Sequence, residues 1–191
     1  MRKLFIISLL VLTSSSFVIA QSTENKGESS SKAVEFLKSN GTLIIKEFYD
    51  LPKVESVECQ VLIIKDVVSN RDMGCLRLET KYYSSYSKST DSYIGTLDFE
   101  EIDACIKSLN YIKNDLLPSV PTTYTEVEYK TRDNLKLGAY YGENGWKAFI
   151  YTQGHTSRSA EFLNSTSIDS LISVLNEAKQ MILEKVTKTS K

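Results

Sequence analysis

Two stretches decide the architecture: LDFEEIDACIKSLNYIKNDLL, from Leu97 to Leu117, and LNSTSIDSLISVLNEAKQMIL, from Leu163 to Leu183. Set 66 positions apart, they align Leu97 with Leu163, Ile102-Asp103 with Ile168-Asp169, Ile106 with Ile172, Leu109-Asn110 with Leu175-Asn176 and Lys113 with Lys179. In both, apolar residues recur at the three- and four-residue spacing of an amphipathic helix. The spacing predicts helices over about 98–117 and 166–186. Asp98 suits the first cap, with Glu101 at the capping-box position, and Asn164 falls at the equivalent place before the second helix. Cys105 aligns with Leu171 and so reads as a core position.

Each helix follows a set of strand-like segments. Thr42–Tyr49, Val57–Val68, Met73–Tyr83 and Tyr93–Leu97 precede the first, with Ser84 to Ser92 read as an exposed serine-rich loop. Val57, Cys59, Val61, Ile63 and Val67 share one face at period two. Thr122–Thr131, Leu135–Tyr141, Trp146–Thr152 and Thr156–Leu163 precede the second, joined by Arg132-Asp133-Asn134 and Gly142-Glu143-Asn144-Gly145 turns. Pro118 and Pro121 separate the units. The expected fold is α+β: a tandem ββββα-ββββα pseudo-repeat of antiparallel sheets, one helix closing each unit, over about 41–117 and 122–187. The outward positions Leu62, Ile64, Phe149 and Tyr151 are apolar or aromatic, so the outer faces also need cover. Packing of the two units against each other is the simplest expectation.

The order ββββα-ββββα resembles the Whirly and PUR-type single-strand-binding folds, in topology only. Those folds bind nucleic acid through basic surfaces, and that function is not carried over to a chain with a formal charge of −1.

Residues 1–20 read as a secretion signal. Arg2 and Lys3 are followed by the apolar run Leu4 to Leu12, a hydroxyl-rich break at Thr13–Ser16, and Val18 and Ala20 at the −3 and −1 positions of a cut before Gln21. The run is too short for a membrane span. Cleavage removes two bases and no acid, moving the formal charge from −1 to −3. Gln21 to Ser31 reads as a disordered leader, a short helix over 32–39 follows, and 32–191 forms a single domain. The expected location is outside the cytoplasm, periplasmic or extracellular, with no attraction to nucleic acid and no membrane span. The short signal, the Ala20-Gln21 cut and the Tyr-, Lys- and Ser-rich body are similar to small exported proteins of Bacteroidetes-type bacteria, which implies a location and no activity.

Three cysteines cannot all pair internally. Cys59, Cys75 and Cys105 read as buried thiols serving as small hydrophobes, with one bridge plus a free thiol as the alternative. No CxxC or Cys/His cluster, phosphate loop, dinucleotide fingerprint or EF-hand occurs, so neither a metal site nor a cofactor is expected. His155 is the only histidine. It lies among Thr156, Ser157 and Ser159, but no nucleophile elbow accompanies it and no catalytic residue is assigned. Glu100, Glu101 and Asp103 read as dipole-complementing acids in a helix's first turn, and Glu126 and Glu128 as the solvated side of a strand.

Eleven tyrosines stand out, most of them on strands or in the serine-rich loop. Tyr and Trp suit half-wet binding surfaces. The candidate ligand-binding residues are Tyr141 and Trp146, which flank one hairpin, with Tyr151 and His155. Trp146 also fits an inward row with Ala148 and Ile150. The expected function is a binding or interaction module for a peptide, glycan or partner protein, through an aromatic-rich sheet surface. The alternative is a secreted hydrolase with a site near His155.

Overall fold

Residues 30–154 and 156–189 are described by a computed structural model. The signal segment, most of the leader and His155 lie outside the described residues. The architecture is α+β, with two four-stranded antiparallel sheets and helices. The first sheet is the meander β1 (Ile44–Val54), β2 (Val57–Asp66), β3 (Arg71–Ser84) and β4 (Ser89–Asp98). The second is β5 (Thr125–Lys130), β6 (Lys136–Gly142), β7 (Gly145–Tyr151) and β8 (Ala160–Leu163). A short helix α1 (Lys32–Leu37) precedes β1, α2 (Ile102–Tyr111) follows β4, and α3 (Ser165–Thr189) follows β8. Single 3-10 turns lead into α2 and β8, and α2 ends in a π-helical turn over Ile112–Leu116.

Several boundaries differ from the sequence expectation, each for a local reason. The serine-rich stretch is mostly paired strand: Tyr83 faces Thr90 and Ser84 faces Ser89, leaving a short turn in which Lys88 takes a left-handed φ of 53°. Continuous ladder pairing outweighs the low strand preference of serine. Strand β1 runs past Tyr49 because Leu51 and Val54 are buried; the register slips between them, around Pro52. A bulge on an edge strand is where a proline fits a sheet. Ser31, expected in a disordered leader, is buried and caps α1, its hydroxyl accepting from Val34 N–H at 3.3 Å.

The inner faces of both sheets share one core with α2 and α3. Val61, Ile63 and Leu76 from the first sheet, Leu137 and Ile150 from the second, and helical Ile102, Leu109, Ile168 and Leu175 all belong to it. Helix α3 lies across β1, β2 and β3 of the first sheet rather than chiefly on the sheet it follows. Gly74 of β3 admits the Ile182 side chain of α3 so closely that any Cβ there would collide with it. At the other end of α3, Ser167 donates to Glu55 in the β1–β2 turn. Helix α2 in turn borders β5, where the Tyr129 hydroxyl donates to Glu101 O at 3.1 Å. The two helices also face each other. Lys113 reaches Asp169 at 2.5 Å and Lys179 reaches Asp103 at 2.7 Å, a reciprocal pair of bridges.

The sheets meet at a corner. An additional side chain at Gly95 of β4 would strike Thr152 O, so only glycine allows this backbone approach. Thr80 and Thr152 hydroxyls bond at 2.7 Å nearby, and both residues are buried. The Asp133 carboxylate accepts from both Thr96 N–H and Thr96 Oγ1 at 2.8 Å, closing the edge of β4. The expected mutual cover of the two outer faces is not what forms. On the first sheet, Leu62, Ile64 and Cys75 are covered by Ala33 and Phe36 of α1. The outer face of the second sheet carries no helix among the described residues.

Candidate functional site

That second outer face follows from the strand register. Residues opposite one another on paired strands share a face, which gives three rows across the sheet. Glu126, Tyr140 and Lys147 form the first. Glu128, Gly138, Phe149 and Phe162 form the second. Lys130, Lys136, Tyr151 and Ala160 form the third. Gly138 and Ala160 are the small members, and the sheet is hollowed beside them. Gly138 has no room for a side chain, since a Cβ would strike Val127 O and the Phe149 ring, so Phe149 lies over it. Phe149 is thereby only 3% exposed although no other layer covers it among the described residues.

The rings form a connected group. Phe149 and Tyr151 meet edge to face at 5.1 Å between centroids, and Tyr140 lies 6.3 Å from Phe149. Phe162 and Tyr124 stand at the margins, 55% and 68% exposed. Together they border an open cleft of about 540 Å³, with Gly154, Thr156 and Ser157 on its rim. The polar groups are already arranged. Tyr124 Oη donates to Glu126 at 3.0 Å, which holds the phenol above its ordinary pKa. Lys136 pairs with Glu128 at 2.9 Å. The cleft thus combines aromatic faces with both carboxylate acceptors and ammonium donors.

The four candidates from the sequence separate. Tyr151 is in this cleft. Tyr141 and Trp146 do pair across the β6–β7 hairpin, with centroids 5.5 Å apart, edge to face. They lie on the opposite side of the sheet, where Trp146 packs against the core in one row with Ala148 and Ile150. The Trp146 indole N–H donates to Ser119 O at 2.9 Å, tying the hairpin to the segment after α2. His155 lies outside the described residues. Sequence reasoning left out Phe162, whose place is legible only once β8 is registered so that Phe162 meets Phe149. Glu126 and Glu128 were read as a solvated strand face, which they are, but that face is also the cleft wall.

Two other polar centres are structural. Asp98, buried, accepts from Ser31 Oγ at 2.7 Å, Lys32 N–H at 2.8 Å, Ala33 N–H at 3.1 Å and Arg132 Nη1 at 3.0 Å. Its carboxylate therefore serves the start of α1, a use hidden in the sequence, where it reads as a cap for the following helix. Arg132 also pairs with Glu100 at 2.8 Å. Cys59, Cys75 and Cys105 are all buried and unpaired. Burial pushes the Cys59 thiol up to about 11 and the Cys75 thiol up to about 12, and it raises Cys105 as well. None is held as a reactive thiolate. Among the described residues no group of His, Cys, Asp and Glu is arranged to hold a metal ion, and no helix is long and apolar enough to cross a membrane. A comparison with protein-family models, curated protein sequences and solved structures finds no match for this chain.

Proposed function

We propose that the chain is an exported binding module whose contact surface is the outer face of the second sheet. One observation carries this reading: the outer face of the second sheet groups its aromatic side chains around one cleft, with no helix over them among the described residues. The first covers Leu62, Ile64 and Cys75 with α1, and its exposed outer residues Phe48, Tyr83 and Ile94 lie apart on three different strands. The second leaves Tyr124 and Phe162 in solvent beside a cleft. Solvent-facing rings grouped around a concavity are a costly way to finish a surface unless something docks there. The signal-like segment at 1–20 supports export, with Gln21 as the mature N-terminus. The sequence offset supports a duplicated ββββα unit, and the two ion pairs between α2 and α3 correspond under it: Lys113–Asp169 maps onto Lys179–Asp103.

The test is a thermal-shift screen of the secreted protein against mixed peptide and oligosaccharide panels, with Tyr124→Ala/Phe162→Ala beside it. Both side chains are more than half exposed, so the double variant should melt within a few degrees of the parent. Ligands that stabilise the parent and not the variant support the reading. Ligands that stabilise both equally, or none at all, reject it. Intact mass of the secreted protein beginning at Gln21 supports export, and retention of Met1 rejects it.

A further inference from the structure

We infer that the occupant of this cleft is an uncharged oligosaccharide. The inference rests on reading that face as a binding surface and adds the chemistry of what binds. The first argument is charge. Both acids of the cleft, Glu126 and Glu128, stand on the β5 edge strand, Glu128 is already paired with Lys136, and Lys130 and Lys147 lie outside the lining. The cleft therefore offers no block of one sign complementary to a strongly acidic or strongly basic peptide, and docking one there would leave its charges desolvated without partners. An uncharged ligand meets no such penalty.

The second argument is the pairing of surfaces. A pyranose ring offers C–H groups on its faces and hydroxyls around its rim. The C–H groups carry slight positive charge and fit the negative face of an aromatic ring. The hydroxyls both donate and accept, so they use carboxylates and ammonium groups in the same site. The cleft supplies these elements in register. Tyr140 and Tyr151 flank the buried Phe149 along its floor, Phe162 and Tyr124 present exposed rings at opposite edges of the sheet, and Glu126, Glu128 and Lys136 lie between. At about 540 Å³ the hollow has room for a short chain and not only a single sugar. An open strand-addition mode is the weaker fit, because the exposed groups here belong to a sheet face and not to a sheet edge.

The experiment is calorimetric titration of the full secreted protein with neutral gluco-, manno-, galacto- and N-acetylglucosamine oligosaccharides of two to six units. Parallel titrations use an acidic peptide and a basic peptide, and sedimentation reports self-association. Three variants accompany the parent: Phe162→Ala, Tyr124→Ala and, as a control, Tyr86→Ala at the tip of the β3–β4 hairpin, where the side chain is 99% exposed and does not line the cleft. The expected result is binding of one neutral series, with affinity rising with chain length and nearly unchanged between low and high salt. Each cleft variant should weaken binding by about tenfold or more, and Tyr86→Ala should leave it unchanged. Binding of a charged peptide, or dimerisation, that is lost in Phe162→Ala would overturn the sugar while sparing the binding surface. Glycan binding that survives both cleft variants would overturn this site. No binding to any probe, with a monomeric protein, would overturn both the inference and the reading beneath it.

Discussion

Trp146 shows how much one residue can leave undecided in a sequence. Its position after the Asn144-Gly145 turn suits a binding edge, and its spacing from Ala148 and Ile150 suits a core row. Strand alternation alone cannot choose, because both readings use the same period of two. The structure gives Trp146 an inner-face partner in Tyr141 and a hydrogen bond to Ser119 O. Trp146→Ala should therefore cost about 2–4 kcal/mol, somewhat below a fully buried tryptophan. Denaturant unfolding measures this, and the cleft ligand should bind the folded variant as it binds the parent. A variant of unchanged stability that no longer binds would return Trp146 to the binding surface. The same alternation made Phe149 and Tyr151 legible as outward residues, whereas the seating of Phe149 over Gly138 was not, since it depends on which residue of β7 stands opposite.

Among the elements, α1 is the most dependent on a few contacts. It is only six residues long, far too short to be stable alone. Its first turn is held by Asp98, and its apolar side by Leu62, Ile64 and Cys75. Asp98→Ala should cost about 3 kcal/mol, because it strips partners from two backbone N–H groups and from Arg132. It should also unseat α1 and open Cys75 to a pyridyl disulfide reagent, while Cys59 and Cys105, on the inner core, remain protected. Mass-resolved labelling reads this directly, and an unlabelled Cys75 in the folded variant would refute the anchoring role. Acid should act in the same direction. Burial of Glu100 opposes its charge, but the ion pairs with Lys32 and Arg132 outweigh that and hold its carboxyl down to about 2, against 4.5 for the free group. A carboxyl depressed in the folded state stabilises fully above its unfolded value and loses that contribution as pH falls through its folded one. Between pH 4.5 and 2 the melting temperature of the parent should fall more steeply than that of Glu100→Gln. Parallel pH profiles would contradict the assignment. The strands were legible because short turns between alternating runs leave meanders as the simple pairing. The use of α1 as a lid on the first sheet was not, because six residues carry too little periodicity to name a partner.

At the scale of the whole molecule, the amphipathic stripes of α2 and α3 told which side of each helix is buried but not against which sheet. A stripe of period 3.6 is compatible with any apolar surface. The reach of α3 across β1–β3, with α2 bordering β5, came from the tertiary arrangement alone. The matched residues in the two helices gain a physical meaning there. Asp103, Lys113, Asp169 and Lys179 form two reciprocal bridges, each joining a lysine of one helix to an aspartate of the other. Exposed bridges contribute little, about 0.2–1 kcal/mol each. Asp103→Lys should destabilise, and adding Lys179→Asp should restore most of the loss; the Asp169/Lys113 pair should behave alike. A double-mutant cycle in chemical denaturation measures both, and coupling in one pair without the other would break the equivalence. The grouping of rings on the second sheet is the feature with functional weight, since α1 covers the middle of one outer face while the other keeps an aromatic cleft open among the described residues. The most direct measurement of that claim is backbone amide chemical-shift mapping during titration with the neutral oligosaccharide that binds. The account predicts that perturbations gather at Tyr124, Tyr140, Phe149, Tyr151 and Phe162 and spare the hairpin around Tyr86. Perturbations confined to that hairpin, or to the groove between α2 and β5, would contradict it.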